Sequence, residues 1–237
     1  MKTRVSAISL ALALGFAAIP VSANILDGLS INVGAISVMP DDSSSNLNVV
    51  EAVAGLPAGS TAVGVNTNTQ LGLTFDYKIT QNWTVELIAA TPFNHDISVK
   101  GSAIDGLKIG KTKHLPPTLL AQYHFTTNSR FDPFIGIGIN YTNFFQEEVS
   151  GELNTTLQAL NVTTADDRVE LKLKDSWGLA FQAGVNYKVT DNLGIHFMVS
   201  KMDIDTTGRV LVNKATIQTV DVDIDPYVAM IGLRWEL

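Results

Sequence analysis

Few side chains in this sequence have the type and spacing for chemistry. His196 and Ser200 stand four residues apart in an alternating run, so a period of two puts them on one face. A serine beside a histidine begins an acyl-transfer site, in which the imidazole takes the hydroxyl proton. Such a site also needs an acid to orient the imidazole, and none takes that place with clear geometry. No enzymatic activity is therefore expected. His124 and His196 read as hydrogen-bonded residues of an interior face, and His95 and His114 as exposed residues of a connection. The chain has no cysteine, and no compact His or carboxylate motif, so neither metal nor cofactor is expected. The densest charges are Asp203, Asp205, Asp221, Asp223 and Asp225. A turn about Asn213 and Lys214 brings Asp203 opposite Asp225 and Asp205 opposite Asp223, a repulsive register that Lys172, Lys174 and Lys201 can offset.

The elements that hold these residues are β-strands. In 69–93 Leu71, Leu73, Phe75 and Tyr77 alternate with polar or small residues, a short turn follows, and Trp83, Val85, Leu87 and Ala89 resume the rhythm. This is a hairpin. The same alternation gives strands at 29–39, 115–125, 133–142, 177–187, from Leu193 onward, and up to Leu237. Pro40 ends the first strand and Pro92 the third, and 40–68, 95–114 and 144–174 read as long loops, the last with a helical turn near 157–160. The result is eight strands whose connections alternate long and short.

The leader adds a location. Lys2 and Arg4 precede an apolar run over 10–19, and Val21-Ser22-Ala23 offers cleavage after Ala23, so residues 1–23 are expected to be a signal peptide. The apolar run is too short to cross hydrocarbon. Removing Lys2 and Arg4 leaves fourteen basic residues against twenty-three acidic, a formal charge of −9 that excludes nucleic acid as an expected partner. Apolar residues that alternate, and never gather into runs or helical stripes, suit a wall better than a filled core. Alternating loop lengths and about ten residues per strand fit an outer-membrane barrel, an all-β, eight-stranded antiparallel transmembrane β-barrel with long external loops and short periplasmic turns over 24–237. Tyr77, Trp83, Tyr123, Phe125, Phe134, Tyr187 and Trp235 fall at the short-turn ends, and Tyr141, Trp177 and Tyr227 at the long-loop ends, as two girdles require. A soluble sandwich needs no such belts.

Parity sends Glu86, Gln122, His124 and Arg234 inward, mixed with Ile36, Ile88, Leu120, Met198 and Met230. Glycines at 136, 138, 178 and 184 are expected to leave space there. Eight strands enclose about one slim ligand, so a narrow, partly apolar conduit is conceivable and a wide polar pore is not.

Over nearly all of the mature chain the sequence resembles the OmpW family. The resemblance is carried by NTQLGLTFDY (68–77), VELIAATPFNHDI (85–97), HLPPTLLAQYHF (114–125), PFIGIGINYTNFF (133–145), LKDSWGLAFQAGVNY (173–187), MDIDTT (202–207) and DIDPYVAMIGLRWEL (223–237). It implies an outer-membrane channel that passes small hydrophobic solutes, surrounded by outer-membrane lipids and lipopolysaccharide and inserted by the barrel assembly machinery. The chain departs from the family in ending on Leu237 in place of an aromatic residue, with Trp235 two positions earlier. A structural or receptor barrel whose external loops bind bacteriocins or phage is the rival reading. An apolar passage open to the loops favours transport, and a lumen blocked by charges such as Glu86 and Arg234 favours the anchor. The acidic rows are either solvated and screened by salt or bridged by divalent cations to lipopolysaccharide phosphates. An apolar solute gains nothing from entering water, so its exit is expected sideways into lipid, where prolines interrupt the wall. The expected exit lies near Pro92, Phe93, Leu115, Pro116 and Pro117, lined inside by Ile88 and Leu120.

Overall fold

A computed structural model describes residues 27–237, so the expected signal peptide lies outside the described residues. In chain order the elements are β1 (Leu29–Met39), β2 (Ser43–Ser44), α1 (Asn48–Ala54), β3 (Ala62–Val65), β4 (Asn68–Lys78), β5 (Trp83–Ala90), β6 (Phe93–Lys100), β7 (Lys108–Leu115) and β8 (Thr118–His124). There follow β9 (Phe131–Val149), α2 (Gly151–Ala159), β10 (Val169–Leu173), β11 (Ser176–Lys188), β12 (Leu193–Met202), β13 (Asp205–Val212), β14 (Ala215–Asp223) and β15 (Tyr227–Glu236).

Eight of these strands close on themselves. Around the ring the order is β11, β12, β15, β1, β4, β5, β8 and β9, and β9 returns to β11 with Ile137 opposite Phe181. All pairs are antiparallel, which short turns at 79–82, 125–130 and 189–192 make possible. Closure removes every free edge, the condition for a sheet to sit in hydrocarbon. No helix among the described residues is long and apolar enough to cross a membrane. The crossing is made by strands.

Each barrel strand turns one set of side chains out and the other in. Leu71, Leu119, Ile135, Ile137, Ile139, Leu179, Phe181, Ile231 and Leu233 are exposed on the outside, an apolar band that water would penalise and lipid does not. Aromatic pairs mark its two rims. Trp83 lies 5.3 Å from Tyr123 and Phe131 5.0 Å from Tyr187 at the periplasmic end, while Tyr141 lies 4.6 Å from Trp177 at the outer end.

The long connections differ from their reading as loops. Residues 93–115 form the hairpin β6–β7, with Phe93 opposite His114, and 62–65 add a strand to it. β9 continues beyond the outer girdle to Val149 and pairs with β7. β10, β13, β14 and β2 form a second sheet. The prolines end barrel ladders, as expected, but the strands resume above them. The helical turn expected at 157–160 belongs to α2, which starts earlier because Ser150 caps it by accepting from the Leu153 amide at 2.9 Å. Both sheets rise above the membrane and close over a common apolar interior, with α1 and α2 laid across it.

Glycine does not leave the empty space that the sequence suggested. A Cβ on Gly184 would stand 2.3 Å from Cζ of Phe134, and one on Gly72 would stand 2.8 Å from Ile36, so neighbouring side chains already fill both places.

Candidate functional site

The inward residues sort by height. Nearest the periplasm, Arg234 bonds Asp76, donates to Asn32 Oδ1 at 3.2 Å and donates to Ser30 Oγ at 2.8 Å. Asn32 in turn donates to Asp76 Oδ2 at 2.9 Å and to Thr74 Oγ1 at 2.6 Å. Across the barrel, Gln182 donates to Glu86 at 2.7 Å and accepts from Gln122 at 2.8 Å. The chain of contacts continues through His124, 3.2 Å from Gln122, to Asp132 at 2.9 Å, Asn186 and His196. Apart from the half-buried Asp132 these groups are buried, and Glu86 and His196 are wholly so. Buried charge is tolerated where each member has partners, and this network spans the section of the barrel. Below it opens a polar vestibule of about 990 Å³, lined by Asp76, His124, Asp132, Lys188, Arg234 and Glu236 among others.

One step higher on the same strands the interior becomes apolar. Ile36, Ile88, Leu120, Met198 and Met230 are at most 2 % exposed and occupy one level, with Met202 above. Phe134 stacks on His196 at 5.7 Å and separates the polar and apolar levels on that side.

Above the outer girdle lies a cavity with an empty volume of about 780 Å³, counted to its mouth. Its lining is mostly hydrocarbon, from Val38 of β1, Ile204 between β12 and β13, and Ile97, Ile109, Leu171 and Val222 of the two extension sheets. A second apolar cavity, of about 610 Å³, lies beneath α1 and α2 and shares Leu47, Ile109, Val210 and Gln218 with the first.

His95 and His114 line the larger cavity and are 3 % and 4 % exposed, which corrects their reading as exposed residues. The cause is that 93–115 form the β6–β7 hairpin and not a loop; its inward row runs Phe93, His95, Ile97, Val99. The rings of His95 and His114 are 4.8 Å apart, and Phe93 and Phe144 flank His114 at 5.3 and 5.8 Å.

Between Ile88 opposite Thr118 and Phe93 opposite His114, the pairing of the third and fourth barrel strands with each other lapses. The interruption holds Pro92, Leu115, Pro116 and Pro117. Pro92 and Pro117 face outward, Pro116 is buried, and its carbonyl accepts from Thr118 Oγ1 at 3.0 Å and Asn140 Nδ2 at 3.2 Å. Phe93 is fully buried at the inner side of this interval. The proposed exit residues therefore come together, with Ile88 and Leu120 just below.

Asp76, Asp132 and Asn186 also belong to the network, beyond the residues expected there from the sequence. Asp76 was legible, since it continues the inward parity of Gln70 and Gly72. His196 and Ser200 do not meet: Ser200 donates to the Phe181 carbonyl at 2.8 Å, and His196 pairs with Asn186. At the opposite end, carboxylate oxygens of Asp203, Asp205 and Asp225 lie within 4.8 Å of one another. Burial and the neighbouring carboxylates Asp203, Asp223 and Asp225 hold the Asp205 carboxyl above its usual range.

Residues 28–237 match the model of the OmpW family. The chain is 40% identical over 216 residues to outer membrane protein W of Vibrio cholerae serotype O1, covering 90% of each chain. Among solved structures it is similar to outer membrane protein OprG of Pseudomonas aeruginosa, with 42% identity and a TM-score of 0.72 over 87% of this chain and 94% of that one. It is also similar to outer membrane protein W of Escherichia coli, with 34% identity and a TM-score of 0.55 over 89% and 98%.

Proposed function

Because the chain belongs to the OmpW family and is an outer-membrane β-barrel, we propose that it takes small hydrophobic molecules from the external face and releases them sideways into the bilayer. The observation that carries this reading is the predominantly hydrocarbon-lined cavity above the membrane, set over a lumen that is apolar at Ile36, Ile88, Leu120, Met198 and Met230 and polar below. Hydrocarbon walls around a cavity of this size are costly to hold against water, and its natural occupant is an apolar solute.

The network of Asp76, Arg234, Glu86 and Gln182 supports the second half of the reading. An apolar molecule that descended through it would have to displace buried ionic bonds and then enter water, and both steps are unfavourable. The proline interval between the third and fourth barrel strands lies above that network and beside the apolar level. Leaving there costs the solute no contact with water. A blocked lumen is also what a receptor barrel would have, but an anchor has no need of an apolar cavity at its outer mouth.

The test is uptake of a panel of apolar and polar solutes by cells or vesicles carrying the protein. Protein-dependent acceleration confined to apolar solutes is the expected outcome. Equal acceleration of polar solutes of similar size, or none of either, contradicts the proposal.

A further inference from the structure

The hydrocarbon cavity holds two polar groups that its walls do not satisfy. His95 Nδ1 lies 2.5 Å from the Asn66 carbonyl, which can only accept, so Nδ1 carries the proton and Nε2 offers a bare lone pair. That Nε2 has no protein partner, and neither nitrogen of His114 has one. A neutral His114 therefore adds one N–H donor and one acceptor beside the His95 acceptor, with ring centres 4.8 Å apart. Buried polar groups are normally paired, and leaving them unpaired weakens the fold.

We infer that the His95–His114 pair is the polar anchor of a binding site for a monohydroxylated apolar molecule, an aliphatic alcohol or a phenol, whose body fills the cavity. This rests on the proposed use of the cavity by apolar solutes and adds the class that it prefers. A hydroxyl is small, uncharged at pH 7, and both donates and accepts at one atom. It donates to His95 Nε2 and accepts from the His114 N–H. A ketone can only accept and leaves His95 unpaired, and an alkane leaves both rings unpaired. Phe93 and Phe144 stack against the pair and fix His114 between them, so the N–H is presented in one direction.

The charge state fits this choice. Burial pushes His114 down to about 3, with the proximity of His95 adding to the effect, and burial lowers His95 as well. Both rings are neutral near pH 7, so a carboxylate finds no cation in the cavity. Lys111 and Lys113 on β7 are exposed on the outer face of that strand.

The test uses the mature chain in phosphatidylcholine nanodiscs, with octan-1-ol, octan-2-one and octane added at matched mole fractions in the lipid. Methyl NMR shifts of Ile109, Leu171 and Ile204 report occupancy of the cavity, and imidazole shifts report the anchor. Octan-1-ol is expected to half-saturate the methyl shifts about ten-fold below octane, with octan-2-one between them, and to move both imidazole signals. His114→Phe should abolish the preference while octane binds as before, His95→Phe should weaken it, and His114→Gln should restore part of it. If all three solutes move the methyl signals equally in the native chain, or if the preference survives His114→Phe with native methyl dispersion, the anchor is wrong and the apolar cavity stands. If none of them moves the methyl signals, the cavity is not a solute site and both readings fall. Should His114→Phe fail to fold, His95→Phe and His114→Gln carry the decision.

Discussion

Arg234 of β15 reaches over β1 to Asp76 of β4, and Asn32 of the intervening strand is bonded to both. Three neighbouring strands are thus tied inside the barrel by one buried ion pair and its amide bridge. The tie sits where the lumen turns from hydrocarbon to the polar vestibule, so it closes the barrel across its section.

Breaking this tie from one side should be costly. Arg234→Ala leaves Asp76 charged and unpaired, and the loss of stability expected for an orphaned buried charge is about 3–5 kcal/mol. Replacing the pair together, Asp76→Leu with Arg234→Met, should cost less than either single change. Urea unfolding in lipid vesicles, run as a double-mutant cycle, measures the difference. Additive losses in the double variant would show that the two residues are not coupled.

Packing at Gly184 gives a second expectation. A methyl group there meets the Phe134 ring and, at 2.5 Å, the Phe197 carbonyl, so Gly184→Ala should destabilise by about 1–3 kcal/mol. Phe134→Leu should recover part of that loss in the same unfolding assay. No loss in Gly184→Ala would mean that the ring has room to move.

The external hairpin β13–β14 carries Asp205 directly opposite Asp223, the register expected from the sequence. Since the carboxyl of Asp205 is held above its usual range, the folded form keeps its proton more tightly than the unfolded form. Stability from this group is therefore present at low pH and lost as pH rises through the raised value. Amide exchange, corrected for its intrinsic pH dependence, should show weaker protection of 205–223 at pH 7 than at pH 4. Asp205→Asn should remove the difference and raise protection at pH 7, by a few tenths of a kcal/mol up to about 1 for an opposed pair.

The histidine pair has the opposite sign. His95 and His114 lie beyond the outer girdle, and both are held below their usual range, so the unfolded hairpin binds protons first as pH falls from about 6.5. Stability of β6–β7 should decline progressively between that pH and about 3, where the folded His114 itself protonates. Limited proteolysis across this range should show the hairpin opening before the barrel, and His114→Phe should flatten the profile. A pH-independent native hairpin would contradict the burial of these rings.

The barrel was legible in the sequence because a period of two is imposed by lipid on one side and the lumen on the other. Ile135, Ile137 and Ile139 cannot face anywhere else. The extension was hidden by its prolines: Pro92 and Pro116 read as ends, since proline breaks a ladder, yet FNHDISVK alternates as clearly as any barrel strand once His95 is counted as an inward residue. The plug was half visible, through Glu86, Gln122, His124 and Arg234. Asp76 belonged with them by parity, but its partner could only be found once β15 and β4 were known to flank β1.

The proposed route takes an apolar solute out of the barrel above the plug. It is tested most directly by its rate of uptake into vesicles with a lipopolysaccharide outer leaflet, compared among the native chain, Ile88→Trp, Leu120→Trp and Arg234→Ala at equal amounts of folded barrel. Slow uptake in both tryptophan variants and native uptake in Arg234→Ala are expected. Native rates with Ile88→Trp and Leu120→Trp, or faster uptake on loosening Arg234, would place the route elsewhere and contradict it.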